Sequence, residues 1–133
     1  MRPAVARASG PVDPDEAWDR YARPERWPEW SPQVRHVDID SELLAAGSAG
    51  TVRTLGGAQV RFVVLDVDAR ARSWTWRVRA GVVGLVLEHH LLPLPDGGTR
   101  AEVVIHGPWP VARLYRLPAT LALHRLVHLD LHG

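Results

Sequence analysis

The chain has 133 residues, which is enough to bury one hydrophobic core. Its 16 basic residues are all arginine and are mixed with 15 acidic residues, so the formal charge of +1 gives no electrostatic footprint for nucleic acid. The absence of cysteine excludes disulfides, thiolate nucleophiles and cysteine metal sites, and the absence of lysine excludes Schiff-base chemistry.

No segment resembles a targeting sequence or a membrane span. Residues 1–12 lack the apolar run of a signal peptide, and no stretch approaches the ~20 apolar residues that cross a bilayer. We therefore expect a single domain over residues 1–133, located in the cytoplasm, with no cofactor and no membrane or nucleic-acid partner.

The first elements are a strand and a helix. Ala4–Ser9 predicts a short strand, and the sequence after it has a strong helix start. Asp13 is placed as N-cap, Pro14 occupies the first helical position, and Glu16 follows three residues after the cap, as in a capping box. We expect this helix to end at about Ala22, ahead of a proline.

Residues 23–32 read RPERWPEWSP and predict a second short helix that begins at Pro24. Prolines force extended or turn geometry on the residues before them, so this segment is a rigid carrier of Trp27 and Trp30. Either the two tryptophans plug the core or they form one wall of a pocket. Core packing is the commoner role of buried tryptophan.

Turn residues divide the next part of the chain into an antiparallel meander of six strands, which makes seven strands with the first. The predicted strands are Val34–Asp40, Ser48–Leu55, Gln59–Val67, Ser73–Ala80, Leu85–Leu94 and Thr99–His106.

The last hairpin decides which polar side chains face inward. With Asp96-Gly97 as a two-residue turn, His90 opposes Val103 on the apolar face of the final strand. Three residues of the preceding strand then point toward the core: Glu88, His90 and Leu92. His89 and His106 are predicted to face outward. A slip of one residue would reverse these orientations.

Two earlier strands add candidates for the inner face. Trp74 and Trp76 face inward if the arginines that alternate with them are solvated. In Gln59–Val67 two alternating apolar sets compete. The set Val63, Leu65 and Val67, taken as inward, would also bring Arg61 to the inner face.

The final helical pattern covers Trp109–Leu131, and its apolar arc should lie against the sheet. In its second half the arc contains Ala122, Leu123, Leu126, Val127, Leu129 and Leu131. In its first half the apolar side contains Val111, Leu114, Tyr115 and Leu117. Pro118 lacks an N–H and predicts a kink or a break.

Two histidine patterns have both a functional and a structural interpretation. Glu88 and His90 would be an acid/base pair in an apolar pocket, or a buried polar network without chemistry. His124, His128 and His132 have the i, i+4 spacing of metal ligands, but they lie on the polar stripe of the helix. We favour the structural interpretation of both, and we expect no metal.

The helix DPDEAW, the segment PERWPEWSP, a meander ending in H-x-L-x-L ahead of DGGTR, and a long closing helix together resemble the SRPBCC superfamily. The similarity is greatest to the polyketide cyclase/dehydrase-like branch of START-like proteins, over essentially the whole chain. It implies an α+β helix-grip fold, in which a seven-stranded curved antiparallel sheet wraps around a long C-terminal helix, with two short helices after strand 1.

The resemblance also implies a cavity between sheet and helix. Our leading hypothesis is that this cavity binds a small hydrophobic molecule, of an aromatic or polyketide-like kind. The residues predicted to bind it are Trp27, Trp30, Arg61, Trp74, Trp76, Glu88, His90, Leu92, Leu123 and Val127. Glu88, His90 and Arg61 would orient its polar groups.

Two alternatives stay open. The domain could be an aromatase/cyclase or dehydratase in which His90 and Glu88 move protons. It could instead have a collapsed cavity and act as a protein-interaction domain, which a pocket smaller than ~300 Å³ would favour. The sequence also leaves a homodimer open.

Overall fold

The computed structural model describes residues 3–130 and has the expected α+β helix-grip architecture. A curved sheet of seven antiparallel strands in the order β1-β7-β6-β5-β4-β3-β2 packs against the C-terminal helix. The elements are β1 (Ala4–Gly10), α1 (Pro14–Ala22), a 3₁₀ turn (Pro24–Arg26), α2 (Trp27–Trp30), β2 (Val34–Ile39), β3 (Ala49–Thr54), β4 (Gln59–Asp68), β5 (Ser73–Ala80), β6 (Val83–Pro93), β7 (Thr99–His106) and α3 (Trp109–His128).

Helix α1 begins and ends where its sequence predicts. The Asp13 side chain accepts hydrogen bonds from the backbone N–H groups of Asp15 (2.8 Å) and Glu16 (3.3 Å), so it satisfies donors that a helix start leaves free. The helix stops at Ala22, two residues before Pro24. Its buried face rests on the sheet and on α3.

The C-terminal end of α3 is anchored by residues from the start of the chain. The buried Arg20 side chain donates to the Leu126 carbonyl (2.7 Å), and the Val12 N–H donates to the Val127 carbonyl (3.0 Å). These carbonyls belong to the last turn of the helix, where carbonyl groups have no donors within the helix. Residues of α1 and of the segment before it supply the missing donors.

Helix α3 runs without interruption through Pro118, so the predicted break is wrong. Because the helix is continuous, one apolar arc runs its whole length and includes Tyr115 as well as Leu123. Leu114 and Leu117 then fall on the opposite side, where they are 70% and 73% exposed, so the prediction that they face inward is also wrong. Leu131 and His132 lie outside the described residues.

The hairpin between β6 and β7 differs from the predicted register by one residue. Pro95 has no N–H and cannot complete the hydrogen-bonded pair beside a two-residue turn. Instead the Leu94 N–H donates to the Gly98 carbonyl (2.9 Å), and Pro93 pairs with Thr99. The loop between β6 and β7 therefore has an odd number of residues, whereas the prediction had two. As a result, every side chain of β6 points to the face opposite to the predicted one.

This register corrects four orientations. His89 pairs with Val103 and is buried, so it faces inward and not outward. Glu88, His90 and Leu92 lie on the outer face, so their predicted inward orientation is wrong. The inner face of β6 consists of Leu85, Leu87, His89 and Leu91.

In β4 the competing apolar set is the buried one. Phe62 and Val64 pair with residues of β5 that are buried on the same face, while Val63, Leu65 and Arg61 are exposed. The predicted inward placement of these three residues is therefore wrong. An irregularity in register between Val64 and Asp66 shifts the alternation of inward and outward side chains by one residue. Val67 therefore packs against the core, as expected.

Within residues 3–130, no helix is long and apolar enough to cross a membrane.

Candidate functional site

A cavity of about 150 Å³ lies between the inner face of the sheet and α3. Its wall combines the α1–α2 region, the six strands β2 to β7 and one side of α3. The lining residues are Tyr21, Trp27, Trp30, Ser31, Gln33, Val34, Val52, Thr54, Val60, Trp74, Trp76, Val78, Leu87, His89, Val103, Tyr115, Ala119, Ala122 and Leu123.

Three tryptophans form the most aromatic part of the wall. The Trp27 ring stacks on Trp74 with centroids 5.7 Å apart and meets Trp76 edge-on at 5.2 Å. Trp74 and Trp76 contact each other at 5.1 Å, and Phe62 packs on Trp76 from behind at 5.0 Å. Offset and edge-on contacts of this kind are favourable, so these rings pack together as one aromatic cluster.

Backbone carbonyls of α1 hold the two tryptophans of α2 in place. The indole N–H of Trp27 donates to the Tyr21 carbonyl (2.9 Å), and that of Trp30 donates to the Arg20 carbonyl (3.2 Å). Arg26 adds ion pairs to Glu16 (3.0 Å) on α1. Burial acts to raise the pKa of Glu16. The hydrogen bonds from Arg26 and Arg20 act in the opposite direction and hold this pKa below its ordinary value.

His89 is a buried, neutral imidazole in the cavity wall. Its ring stacks on Trp74 with centroids 3.9 Å apart, and Nδ1 lies 3.1 Å from the Trp74 carbonyl oxygen. A carbonyl only accepts hydrogen bonds, so Nδ1 carries the proton and Nε2 carries the lone pair. Burial lowers the pKa of His89 to about 3, so the ring is uncharged at neutral pH.

Four polar atoms of cavity-lining residues are buried and have no hydrogen-bond partner among residues 3–130. They are the Tyr21 hydroxyl, Gln33 Oε1, and the indole nitrogens of Trp74 and Trp76. Buried polar groups are normally paired, so four exceptions around one cavity are unusual. Burial also raises the pKa of Tyr21, which keeps the hydroxyl protonated.

The cavity wall carries no formal charge. None of its lining residues, all of which lie in the described part of the chain, is Asp, Glu or Arg. Burial raises the pKa of Tyr115, although a hydrogen bond from the Gln33 side chain opposes this, so that phenol is neutral as well. With His89 uncharged, the cavity is an electrically neutral aromatic site.

The structure brings together about half of the residues that the sequence predicted for the site. Trp27, Trp30, Trp74, Trp76 and Leu123 line the cavity, and their role in binding stays a prediction. Val127 is fully buried beside α1 but is absent from the cavity wall.

Four of the predicted residues lie on the outer face of the sheet, away from the cavity: Arg61, Glu88, His90 and Leu92. There the Glu88 carboxylate contacts His106 Nε2 at 2.5 Å, and both side chains are more than one-third exposed. The candidate acid/base pair is therefore not in the cavity.

Sequence reasoning missed His89, Tyr21, Gln33 and Tyr115. The signal for His89 was present, because leucines alternate at positions 85, 87 and 91 of β6 and place the residue between them on the same face. Pro95 also argued against a two-residue turn. Gln33 follows a proline in a loop, and its position depends on packing that no local pattern encodes.

The histidines of α3 form an exposed pair. The rings of His124 and His128 stack at 3.9 Å on the solvent side of the helix, and His132 lies outside the described residues. No group of three or more potential metal ligands occurs within residues 3–130.

A sequence model of the family described as "Polyketide cyclase / dehydrase and lipid transport" matches residues 4–128. No curated protein matches the chain in sequence. Among solved structures, the protein XoxI from Bacillus cereus is similar with a TM-score of 0.81 at 12% identity, covering 96% of this chain and 94% of that one.

Two further structures share the fold. DynU16, from the dynemicin biosynthetic locus, has a TM-score of 0.76 at 17% identity, and the match covers 95% of this chain but 46% of that one. Ara h 8.0201 has a TM-score of 0.71 at 12% identity, with 94% of each chain covered. At such identities these likenesses show the fold alone.

Proposed function

As its sequence motifs indicated, the chain belongs to the polyketide cyclase/dehydrase and lipid transport family, and we propose that it binds a small, largely apolar molecule between the sheet and α3. The observation that carries this proposal is the neutral aromatic cavity, whose wall is fixed by contacts among Trp27, Trp74 and Trp76. Pockets that are mostly apolar and contain a few polar groups are the usual form of a small-molecule site.

The cavity volume limits the size of the ligand. A dry cavity of roughly this size holds one benzene-sized molecule, so we expect a single ring, or one ring of a larger ligand whose remainder lies outside. Burial of roughly 200 Å² at ~25 cal/mol per Å² supplies about 5 kcal/mol. Apolar contact alone would then give a dissociation constant of roughly 0.1–1 mM.

Titration with toluene tests the proposal. Toluene is expected to change the fluorescence of the tryptophans and the methyl NMR signals of Leu123, with saturation in the millimolar range or below. Ala119→Leu adds three carbons to a residue of α3 that lines the cavity and should abolish the response. Thr120→Leu places a leucine on the exposed side of the same turn and serves as the control.

If toluene produces no saturable change in the wild-type protein, or if Ala119→Leu and Thr120→Leu respond alike, the cavity is not a binding site. Thermal unfolding of each variant shows whether a lost response reflects a lost fold.

The aromatase/cyclase alternative has less support. It required Glu88 and His90 to face the cavity, and both lie on the outer face. His89 takes their place inside, but a general base works best when its pKa lies near the operating pH, and burial holds the pKa of His89 at about 3.

The interaction-domain alternative is the second candidate. The cavity volume of about 150 Å³ lies under the ~300 Å³ expected of a ligand pocket. In addition, Leu114, Leu117 and Leu121 form an exposed apolar stripe on α3.

Sedimentation velocity tests this alternative. If two copies of the chain associate through the stripe, the wild-type protein should show a monomer–dimer equilibrium that Leu117→Ser removes. A monomer at all concentrations would count against it.

A further inference from the structure

The four unpartnered polar atoms and the missing charge in the cavity wall indicate more than apolar binding. We propose that the cavity selects uncharged ring compounds that carry a hydrogen-bond acceptor, such as a carbonyl oxygen, and that it rejects carboxylates of the same size. This inference rests on the proposed binding function and names the chemical class of its ligand.

The unpartnered groups are mainly donors. An indole N–H can only donate, and those of Trp74 and Trp76 have no acceptor among residues 3–130. The hydroxyl of Tyr21, whose ring contacts Trp74 at 5.6 Å, is the third such group. A buried donor without a partner has lost its hydrogen bonds to water and gained none, so a ligand that supplies an acceptor restores them.

The other two cavity tryptophans differ from Trp74 and Trp76, because their indole N–H groups have partners. Trp27 and Trp30 each donate to a backbone carbonyl of α1, so the fold can satisfy an indole where it needs only packing. Trp74 and Trp76 stand on β5, whose backbone groups are already paired with β4 and β6. These two indole N–H groups therefore find no backbone acceptor on the neighbouring strands and stay without a partner among residues 3–130.

Neighbouring side chains cover these donors. Side-chain rotamer changes are common when a ligand binds, and the cavity provides the space into which a covering ring can turn. A ligand that fills the cavity without an acceptor leaves the donors as they are. A ligand with an acceptor gains hydrogen bonds to these buried donors.

An anion has no counterion in this wall. The lining residues include no arginine, and His89 is a neutral imidazole that supplies no positive charge. A carboxylate would give up its hydration for three donors and no positive charge, and an uncompensated buried anion is strongly unfavourable.

Three probes of similar size separate these effects at pH 7: ethylbenzene, acetophenone and benzoate. Calorimetric or NMR titration is expected to show that ethylbenzene and acetophenone bind and that benzoate binds about a hundredfold more weakly than acetophenone, or not at all. Equal affinities for benzoate and acetophenone would overturn the selection against charge.

Removing donors tests the role of the acceptor. Tyr21→Phe, Trp74→Phe and Trp76→Phe are each titrated with ethylbenzene and acetophenone. In at least one variant the affinity for acetophenone should fall about fivefold more than the affinity for ethylbenzene. Phe62→Leu, which removes an apolar ring behind Trp76, is the control and should weaken both ligands alike.

The outcomes separate this inference from the proposal on which it rests. If neither uncharged probe binds the wild-type protein, the binding function itself fails. If both bind and the ratio of their affinities is the same in all three donor variants, the cavity binds rings but does not select an acceptor. Tyr21→Phe keeps the shape of the wall, so the test stands even if a tryptophan variant does not fold.

Discussion

Acid should destabilise the protein through His89. The pKa of this imidazole is lowered from 6.5 to about 3 by burial. Between these values the unfolded chain takes up a proton that the folded protein does not, so the unfolded state gains stability as the pH falls. Above pH 6.5 the contribution is constant, and below it the free energy of unfolding should decrease by about 1.4 kcal/mol per pH unit. From pH 6.5 to about pH 5 the loss amounts to about 2 kcal/mol.

Urea unfolding at pH 7, 6 and 5 measures this slope. His89→Gln keeps a side chain that can donate to the Trp74 carbonyl but cannot titrate, so it should flatten the pH dependence. His124→Gln removes an exposed imidazole from α3 and is the matched control. In NMR spectra the His89 ring should show a protonated Nδ1 and an unprotonated Nε2 at pH 5. If His89→Gln has the slope of the wild-type protein, the imidazole is not held neutral by burial and the reasoning is refuted.

Four further substitutions test the packing. Leu123→Ala should lower the free energy of unfolding by about 2–5 kcal/mol, because Leu123 is buried. Leu117→Ala should lower it by less than about 0.5 kcal/mol, because Leu117 is exposed. Equal losses in urea unfolding would contradict the observed faces of α3. Arg20→Met should cost about 1–3 kcal/mol, since the Leu126 carbonyl loses its charged donor; a thermal midpoint equal to that of the wild type would show that this anchor is dispensable. Gly50→Ala would place a Cβ against the backbone carbonyl oxygen of Asp38 on β2, so it should cost about 2 kcal/mol or more. A normal yield and thermal midpoint would show that the strand can shift.

The elements of the fold could be predicted because their signals are local. Asp13 and Pro14 start α1, Pro24 limits it, and turn residues separate the strands close to where the structure ends them. The helix-grip arrangement followed from the order of these elements and from their resemblance to a family. Neither step needed the direction of a single side chain.

The candidate site could be predicted only in part because it depends on register. Aromatic residues such as Trp74 were found, since their bulk and alternation with arginine leave one reasonable face. Glu88, His90 and His89 were assigned to the wrong faces, because one residue in the loop around Asp96 inverts all of β6. The prediction that Arg61 faces inward was wrong for a similar reason. Strand β4 contains an irregularity in register that no local sequence pattern predicts.

Helix α3 is held unevenly along its length. Arg20 fixes the carbonyl of Leu126, and Arg125 donates to the Trp30 carbonyl (3.0 Å), so the second half is tied to α1 and α2. Pro118 cannot donate a hydrogen bond to the turn before it, so the continuous helix has one backbone hydrogen bond fewer ahead of the tied half and bends more easily there. Bending there would swing Tyr115 away from the cavity while the rest of the wall keeps its place. Under the proposed binding function, such bending would open a path for a ligand beside α3 without changing the aromatic rings that contact it.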